Sequence, residues 1–389
     1  MAAIAPFGPA VLALFSLLMP LAALVIGCAG PKTLDARNTP TIVTATALSP
    51  SPTLTPTRRP TRTAPCTSTV TLTLSASPTV TPSATDSPTP TATTTPDPYA
   101  GLTIADLRAR SYGGGALEVV ATLSVSDAFT RTLIRYDSDD LSIYGFMNTP
   151  VGVGPFPVAI VLHGYIDPVW YDTLAYTTRY ADALAYAGYL VIHPNLRGYR
   201  PSDSGPNRFH VGMAIDVLNL IALVKDGAGV HGGTGPLAAA DGTRIGLMGH
   251  SMGGGITWRV LTVNHDVRAA VLYAAMNADE RLNAEQRLIW SGGRNGREEA
   301  DTPELDLRRI SPSTYLADIT AAISIHHSDA DATVPPEWSA QAFAALTALG
   351  VDVEYYRYQD TPHTFRGEQD ELFMERMVAF FDRHLKANP

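Results

Sequence analysis

The stretch that most constrains the fold runs from Arg244 to Ile256: Arg-Ile-Gly-Leu-Met-Gly-His-Ser-Met-Gly-Gly-Gly-Ile. Arg244 to Met248 reads as a short buried strand, and the residues beyond Ser251 can continue as a helix. Between them, Gly249-His250-Ser251-Met252-Gly253 fits G-x-S-x-G. In a strand–turn–helix setting the serine of this pattern takes a strained backbone conformation. Small residues are needed two positions to either side, because a Cβ there would collide with the neighbouring strand or helix. Gly249 and Gly253 meet that need. The turn lifts the Ser251 hydroxyl clear of the sheet, over the positive end of the next helix.

Segments of strand and helix character alternate around this turn. Arg131–Tyr136 and Leu141–Asn148 read as an antiparallel pair about Asp137-Ser138-Asp139-Asp140. Pro157–His163 is a continuous apolar run, the mark of a strand covered on both faces. A helix over 173–187, a strand over 189–193, a helix over 211–225 and the strand of the turn follow. Further strands are expected at 269–274, 322–326 and 353–358, with helices at 337–349 and 370–385. Alternation at this spacing implies a mostly parallel, doubly covered sheet.

Three stretches at expected strand ends carry chemistry. In His163-Gly164-Tyr165, Gly164 lets the backbone approach closely and leaves the Tyr165 N–H aimed inward. With the N–H of Met252 it would supply the two donors that an acyl-transfer oxyanion needs. The His163 imidazole itself reads as a packed strand-end side chain bonded to its own loop. In Ile325-His326-His327-Ser328-Asp329-Ala330-Asp331-Ala332-Thr333-Val334-Pro335, either Asp329 or Asp331 can accept the Nδ1 proton of a histidine and fix its tautomer. The adjacent histidines point to opposite strand faces, and no metal-ligand spacing occurs, so no metal is expected. In Asp360-Thr361-Pro362-His363-Thr364-Phe365, His363 sits just past the last strand and is placed to reach Ser251 from the same sheet edge. The order serine, acid, histidine at successive strand ends is that of the α/β-hydrolase arrangement.

From about Tyr136 to Leu385 the chain resembles the catalytic domain of the prolyl oligopeptidase-type (S9) serine hydrolases. It is similar also to dienelactone-hydrolase-like and acetyl-esterase relatives. The residues that carry this are His163-Gly164-Tyr165, Asn195-Leu196-Arg197-Gly198-Tyr199, the Gly249–Gly253 turn, and the acid and histidine loops. The family's H-G-x-x-D-x-x-V-P pattern aligns with His327 to Pro335, which makes Asp331 the acid and Asp329 a flanking residue. Ser328 stands where that pattern has glycine, and Arg200 follows Tyr199 where glycine is common. The resemblance implies an α/β-hydrolase fold and a Ser251–His363–Asp331 triad without a cofactor. Prolyl oligopeptidases also carry a gating β-propeller, for which the residues before Tyr136 are too few.

The remaining sequence sets the surroundings. Residues 1–31 contain no Lys, Arg, Asp or Glu, and Val11–Ile26 is almost wholly apolar. Val25-Ile26-Gly27-Cys28 resembles a bacterial lipobox, implying lipid on Cys28; the alternative is an uncleaved membrane anchor, since no basic residue precedes Lys32. The following stretch, 32–98, is rich in Thr, Pro and Ser from residue 38 onward, a composition that cannot bury a core. Extended at roughly 3.1 Å per residue, residues 38–98 would reach on the order of 190 Å as a disordered stalk. The only two cysteines, Cys28 and Cys66, lie in these segments, so no disulfide is expected in the catalytic domain at 99–389.

Beyond residue 98 the chain has 23 basic and 34 acidic side chains, formally −11, which argues against nucleic acid as a partner. A charged insertion at 276–313, with Trp290 and several arginines, reads equally as a cap over the site or as a solvated excursion. The expected enzyme is an exported, membrane-tethered serine hydrolase acting on a small ester or short peptide. The rival from another class is a catalytically silent hydrolase fold that displays a binding surface.

Overall fold

The computed structural model describes residues 96–229 and 232–386. The expected signal segment, the lipid site at Cys28 and the Thr/Pro-rich stalk as far as residue 95 lie outside these residues; the last stalk residues, 96–98, are described, and Asp97 pairs with Arg309 at 2.8 Å. Nine strands form one sheet: β1 (Glu118–Val125), β2 (Phe129–Ser138), β3 (Leu141–Pro150), β4 (Phe156–Leu162), β5 (Leu190–Pro194), β6 (Ala240–His250), β7 (Val267–Tyr273), β8 (Ala322–Ser328) and β9 (Val353–Tyr358). Their spatial order is β1-β2-β3-β5-β4-β6-β7-β8-β9. Pairing is antiparallel from β1 to β5 and parallel from there to β9. The sheet is therefore mostly parallel, as the alternating pattern implies.

Side chains on each central strand alternate between two cores. Val158, Ile160 and Leu162 of β4 join Leu247 of β6, Leu272 of β7 and Ile325 of β8 on one face. Helices α3 (Val211–Gly227), α4 (Met252–Val263) and α8 (Pro336–Ala348) cover that face. Ala159, Val161, Met248, Val271 and Tyr273 point the other way, under α2 (Thr178–Tyr186) and α9 (Glu368–Phe381). Strands buried on both sides need apolar residues at every position, which explains the continuous run at 157–163. A smaller cluster of Tyr99, Leu107, Phe209, Ile215, Leu307 and Ile310 ties α1 (Ile104–Ala109) to the start of α3 and to α7 (Glu304–Ile310).

Some expected boundaries shift. Helix α2 starts at Thr178 instead of Thr173, because an Asp172 carboxylate turn (to the Leu174 N–H, 2.8 Å) holds residues 172–174 out of the helix. Strand β6 begins at Ala240, four residues before the expected start, with a register irregularity opposite Pro157. Strand β1 and helix α1 have no counterpart in the sequence reading. Every residue of β1 is exposed, so it lacks the period-two apolar alternation that betrays a half-buried strand. Its pairing with β2 is broken by irregularities at Val119/Ala121 and Thr122/Ser124.

The insertion at 276–313 folds as α5 (Glu280–Trp290), α6 (Arg297–Ala300) and α7. It is anchored to the body by a fully buried ion pair between Glu280 and Arg259 of α4. Arg259 also donates to the carbonyls of Ile310 (2.7 Å) and Phe209 (3.2 Å). Much of the arginine chemistry is spent locally: Arg281 donates to the Ala300 and Thr302 carbonyls, and Arg287 faces Glu299 at 3.4 Å. The insertion is thus anchored at Glu280 and along α7, while residues 285–301 are half-buried or exposed.

Candidate active site

Strand β6 ends and α4 begins across Ser251, whose backbone sits at φ 55°, ψ −114°. Only a crowded turn would hold a non-glycine residue there. Its N–H donates to the Tyr273 carbonyl at the end of β7 (3.0 Å), and its own carbonyl accepts from Met276 (3.0 Å). The small flanking residues are required. A Cβ on Gly249 would lie 2.4 Å from the Gly253 carbonyl oxygen, and one on Gly253 would lie 2.5 Å from that of Leu162.

The loop after β4 passes directly over this turn. A Cβ on Gly164 would stand 3.1 Å from the Ser251 Cβ, so only glycine permits the approach. The Gly164 N–H is taken by the Tyr176 hydroxyl at 3.0 Å, which leaves the Tyr165 N–H as the next donor along the loop. The Tyr165 side chain is 69% exposed and stays at the rim. Met252 is the first residue of α4, so its N–H has no partner within the helix. His163 is fully buried and makes contacts to the Gly164 (2.7 Å) and Asn195 (2.9 Å) carbonyls. Burial pushes its pKa down. Beneath it, Tyr171 donates to the Asn195 side chain (3.1 Å) and Tyr199 meets the His163 ring edge-on at 4.6 Å. The Asn195–Tyr199 segment is pinned by Arg197, which is paired inside the protein with Asp216 at 2.7 Å.

The acid and histidine loops meet at Asp331. His363 Nδ1–H donates to Asp331 Oδ2 at 2.6 Å. His327 Nε2 lies 3.1 Å from the same oxygen, and the N–H groups of Thr333 (2.8 Å) and Val334 (3.0 Å) donate to Oδ1. All acceptors near His327 Nε2 are oxygens without protons, so that nitrogen carries the hydrogen, and Ser339 O–H donates to Nδ1 at 2.6 Å. Burial alone would raise the Asp331 carboxyl, but the bonds from His327 and His363 and the charge on His363 outweigh it and hold it well below the usual carboxylate range. Asp329 points elsewhere, to Arg357 at the surface (2.9 Å). Ser328 donates its hydroxyl to the Thr361 carbonyl and so ties the acid loop to the histidine loop. His326 and His327 occupy opposite faces: the first bonds Tyr358 (2.8 Å) and meets Phe373 of α9, the second bonds Ser339 of α8.

With Nδ1 engaged by Asp331, His363 has Nε2 free to exchange a proton, and its ring packs 4.7 Å from that of His250, the neighbour of Ser251. Such an arrangement can take a proton from a hydroxyl, hold the resulting imidazolium on a carboxylate, and present backbone N–H groups to a developing oxyanion. The insertion touches this site at one edge, where Trp290 Nε1–H donates to the Thr333 carbonyl (3.1 Å). Sequence reasoning assigned no role to Tyr176, His250, His327 or Ser339. His250 and His327 lie inside the motifs themselves, whereas nothing in the sequence distinguishes Tyr176 from the other tyrosines of its loop.

Residues 234–388 match the family model described as the prolyl oligopeptidase family. No curated protein sequence matches the chain significantly. Among solved structures, an acylaminoacyl peptidase from Pyrococcus horikoshii superposes with a TM-score of 0.52 at 22% identity, over 67% of this chain and 42% of its own. The chain therefore spans less than half of that peptidase. An acetyl xylan esterase from Thermoanaerobacterium sp. JW/SL YS485 gives 0.53 at 16% identity, over 72% of this chain and 92% of its own. An esterase from Pyrococcus furiosus gives 0.52 at 17% identity, over 71% of this chain and all of its own. These likenesses establish the α/β-hydrolase fold.

Proposed function

We propose that this chain is a serine hydrolase of the S9 type, a reading supported by the family match at 234–388, and that it works by acyl transfer on small carboxylic esters, with Ser251 as nucleophile, His363 as general base and acid, and Asp331 as the group that orients it. The observation that carries this reading is the 2.6 Å bond from His363 to a buried carboxylate, beside a serine in a strained turn. His363 takes the hydroxyl proton as Ser251 Oγ bonds to the carbonyl carbon. The N–H groups of Met252 and Tyr165 receive the negative charge on oxygen. The proton then passes to the departing alcohol, and water repeats the sequence to release the acid. No cofactor enters these steps.

Esters are favoured over peptides for a chemical reason: an alcohol or phenol is a better leaving group than an amine, so its departure depends less on protonation by His363. The fold is shared with the esterases over 92–100% of their length, but with the peptidase over only 42%, so whatever else shapes that peptidase's site is not part of the likeness. The second reading, cleavage of short peptides or acylated amino acids, is favoured by the family match at 234–388. A panel of short-chain p-nitrophenyl esters and aminoacyl p-nitroanilides separates the two. Faster turnover of the esters is expected, and efficient anilide cleavage with esters no better returns the enzyme to the peptidases. Ser251→Ala is expected to fold normally and to lose covalent fluorophosphonate labelling; undiminished labelling would place the nucleophile elsewhere.

The proposal extends to export and tethering through a lipid on Cys28, which rests on the apolar segment and lipobox-like Val25–Cys28. Palmitate incorporation in a bacterial host that survives Cys28→Ala would leave an uncleaved helix as the anchor.

A further inference from the structure

The residue before the serine does more than fill a turn. His250 is 2% exposed, yet both ring nitrogens are occupied. Nε2 lies 3.2 Å from the backbone carbonyl of His363, and Nδ1 lies against the Tyr176 hydroxyl. A carbonyl only accepts, so Nε2 carries the hydrogen and Nδ1 is an acceptor. Tyr176 therefore donates its O–H to Nδ1 and accepts the Gly164 N–H on the same oxygen at 3.0 Å. One directed chain results: Gly164 N–H to Tyr176 O–H, to His250 Nε2–H, to the His363 carbonyl. It begins on the loop over Ser251, crosses the serine turn, and ends on the histidine loop.

Aromatic rings pack the imidazole on three sides. It lies 4.7 Å from the His363 ring, 4.3 Å from Tyr273 and edge-on to Tyr176 at 5.4 Å. Tyr273 in turn accepts the Phe365 N–H, so the histidine loop is held at two points two residues apart. The titratable and charged groups around His250 are Tyr176 on its loop, Tyr273 on β7, Arg179 on α2, and His363 and Asp331 on their loops. Burial, with the charge that His363 can carry, pushes His250 well below the ordinary histidine value. A neutral ring is what the site requires. In each proposed turnover His363 becomes a cation, and a second cation beside it would oppose the proton transfer.

We infer that His250, acting through the Tyr176–His250–His363 chain, is a positioning residue that keeps the His363 loop and the Gly164–Tyr165 loop in register with Ser251. The inference rests on the proposed catalytic roles of those three segments. Displacing reacting groups by about 1 Å can lower rate roughly 100-fold. The chain spans both the base and the oxyanion loop, so its loss is expected mainly in kcat.

The test compares Tyr176→Phe, His250→Phe, their double variant and His250→Gln on p-nitrophenyl acetate, with thermal melts as a folding control. Roughly 10- to 100-fold lower kcat is expected for His250→Phe, with KM within about twofold. The double variant should be no worse than His250→Phe, because both break one chain. His250→Gln, whose amide can still donate toward the His363 carbonyl, should recover part of the loss. If His250→Phe does not fold, Tyr176→Phe, which removes a single oxygen, decides: a kcat within about twofold of the parent overturns the inference. Additive losses, or equal losses in binding and kcat, overturn it as well. Ser251→Ala keeps the two proposals apart. Persistent labelling of that variant defeats the catalytic assignment, whereas lost labelling alongside a fully active His250→Phe defeats only the positioning role.

Discussion

Replacing Asp331 by asparagine tests the site at its most connected atom pair. The carboxylate accepts four N–H groups, from His363 and His327 on one oxygen and from Thr333 and Val334 on the other. An asparagine amide accepts on one side only. Whichever way it turns, two donors face an NH2. A buried donor without a partner costs about 1–3 kcal/mol, so two cost roughly 2–6 kcal/mol of stability. The low end is expected, because His327 Nε2 has the Val334 carbonyl as an alternative at 3.2 Å. Catalysis should suffer more. An NH2 opposite His363 Nδ1 favours the tautomer with its proton on Nε2, which cannot act as a base. Loss of the orienting carboxylate in a serine triad lowers kcat about 10⁴-fold, equivalent to roughly 5.4 kcal/mol in the barrier.

The control is Asp329→Asn, which breaks only an exposed pair with Arg357. Such pairs contribute about 0–1 kcal/mol, and activity should stay within about fivefold. Initial rates on p-nitrophenyl acetate measure both effects. The carboxyl of Asp331 is held below its ordinary value, so its stabilisation is present above about pH 4, the unfolded value, and is lost as pH falls through the folded one. Parent and Asp331→Asn should therefore converge in urea stability at low pH. An Asp331→Asn enzyme retaining a tenth of its activity, or an Asp329→Asn enzyme that is the worse of the two, would refute the reasoning.

Three further outcomes follow from the packing. His193, His250 and His326 are buried and pushed down, His193 to about 3, so the unfolded chain protonates first as pH falls below about 6.5. His193 alone should remove about 2 kcal/mol of stability between pH 7 and pH 5, and His250 and His326 should deepen the loss in the same direction, visible in urea titrations; a flat profile would contradict their neutrality. Arg259→Met should destabilise by about 3–5 kcal/mol by leaving Glu280 buried and unpaired, and Arg259→Met with Glu280→Leu should recover most of that in thermal melts. Gly253→Ala should lower stability by about 1–3 kcal/mol or more and abolish turnover, since its Cβ meets backbone rather than a side chain that can move; wild-type melting and rate would show the turn to be looser than its geometry.

The parts of the fold legible in the sequence are those that solvent exclusion imposes. A strand covered on both faces must be apolar throughout, and the run at 157–163 marks β4 (Phe156–Leu162) to within one residue at each end. Glycine at 249 and 253 marks a steric need that no other residue meets. Asp331, singled out by the family pattern, is the carboxylate that the His363 ring meets, while Asp329 turns outward. What the sequence did not reveal has no periodic or compositional sign. An exposed strand such as β1 buries no stripe. The partnership of Tyr176 with His250 depends on where a loop with Asp172 at its bend delivers one hydroxyl, a three-dimensional fact with no one-dimensional trace. The anchoring of the insertion was hidden for a similar reason: Arg259 and Glu280 look like any two surface charges until burial brings them together.

The open side of β1 has a consequence for how the molecule behaves in crowded solution. Among the described residues β1 is the end strand of the sheet and presents Val119, Val120, Leu123 and Val125 at 42–72% exposure, the kind of edge on which chains polymerise strand to strand. The two register irregularities interrupt that edge, since a bulged strand twists away and cannot offer a straight run of donors and acceptors. They act as a guard against self-association, and a variant that restores regular pairing between β1 and β2 should lose solubility long before it loses activity.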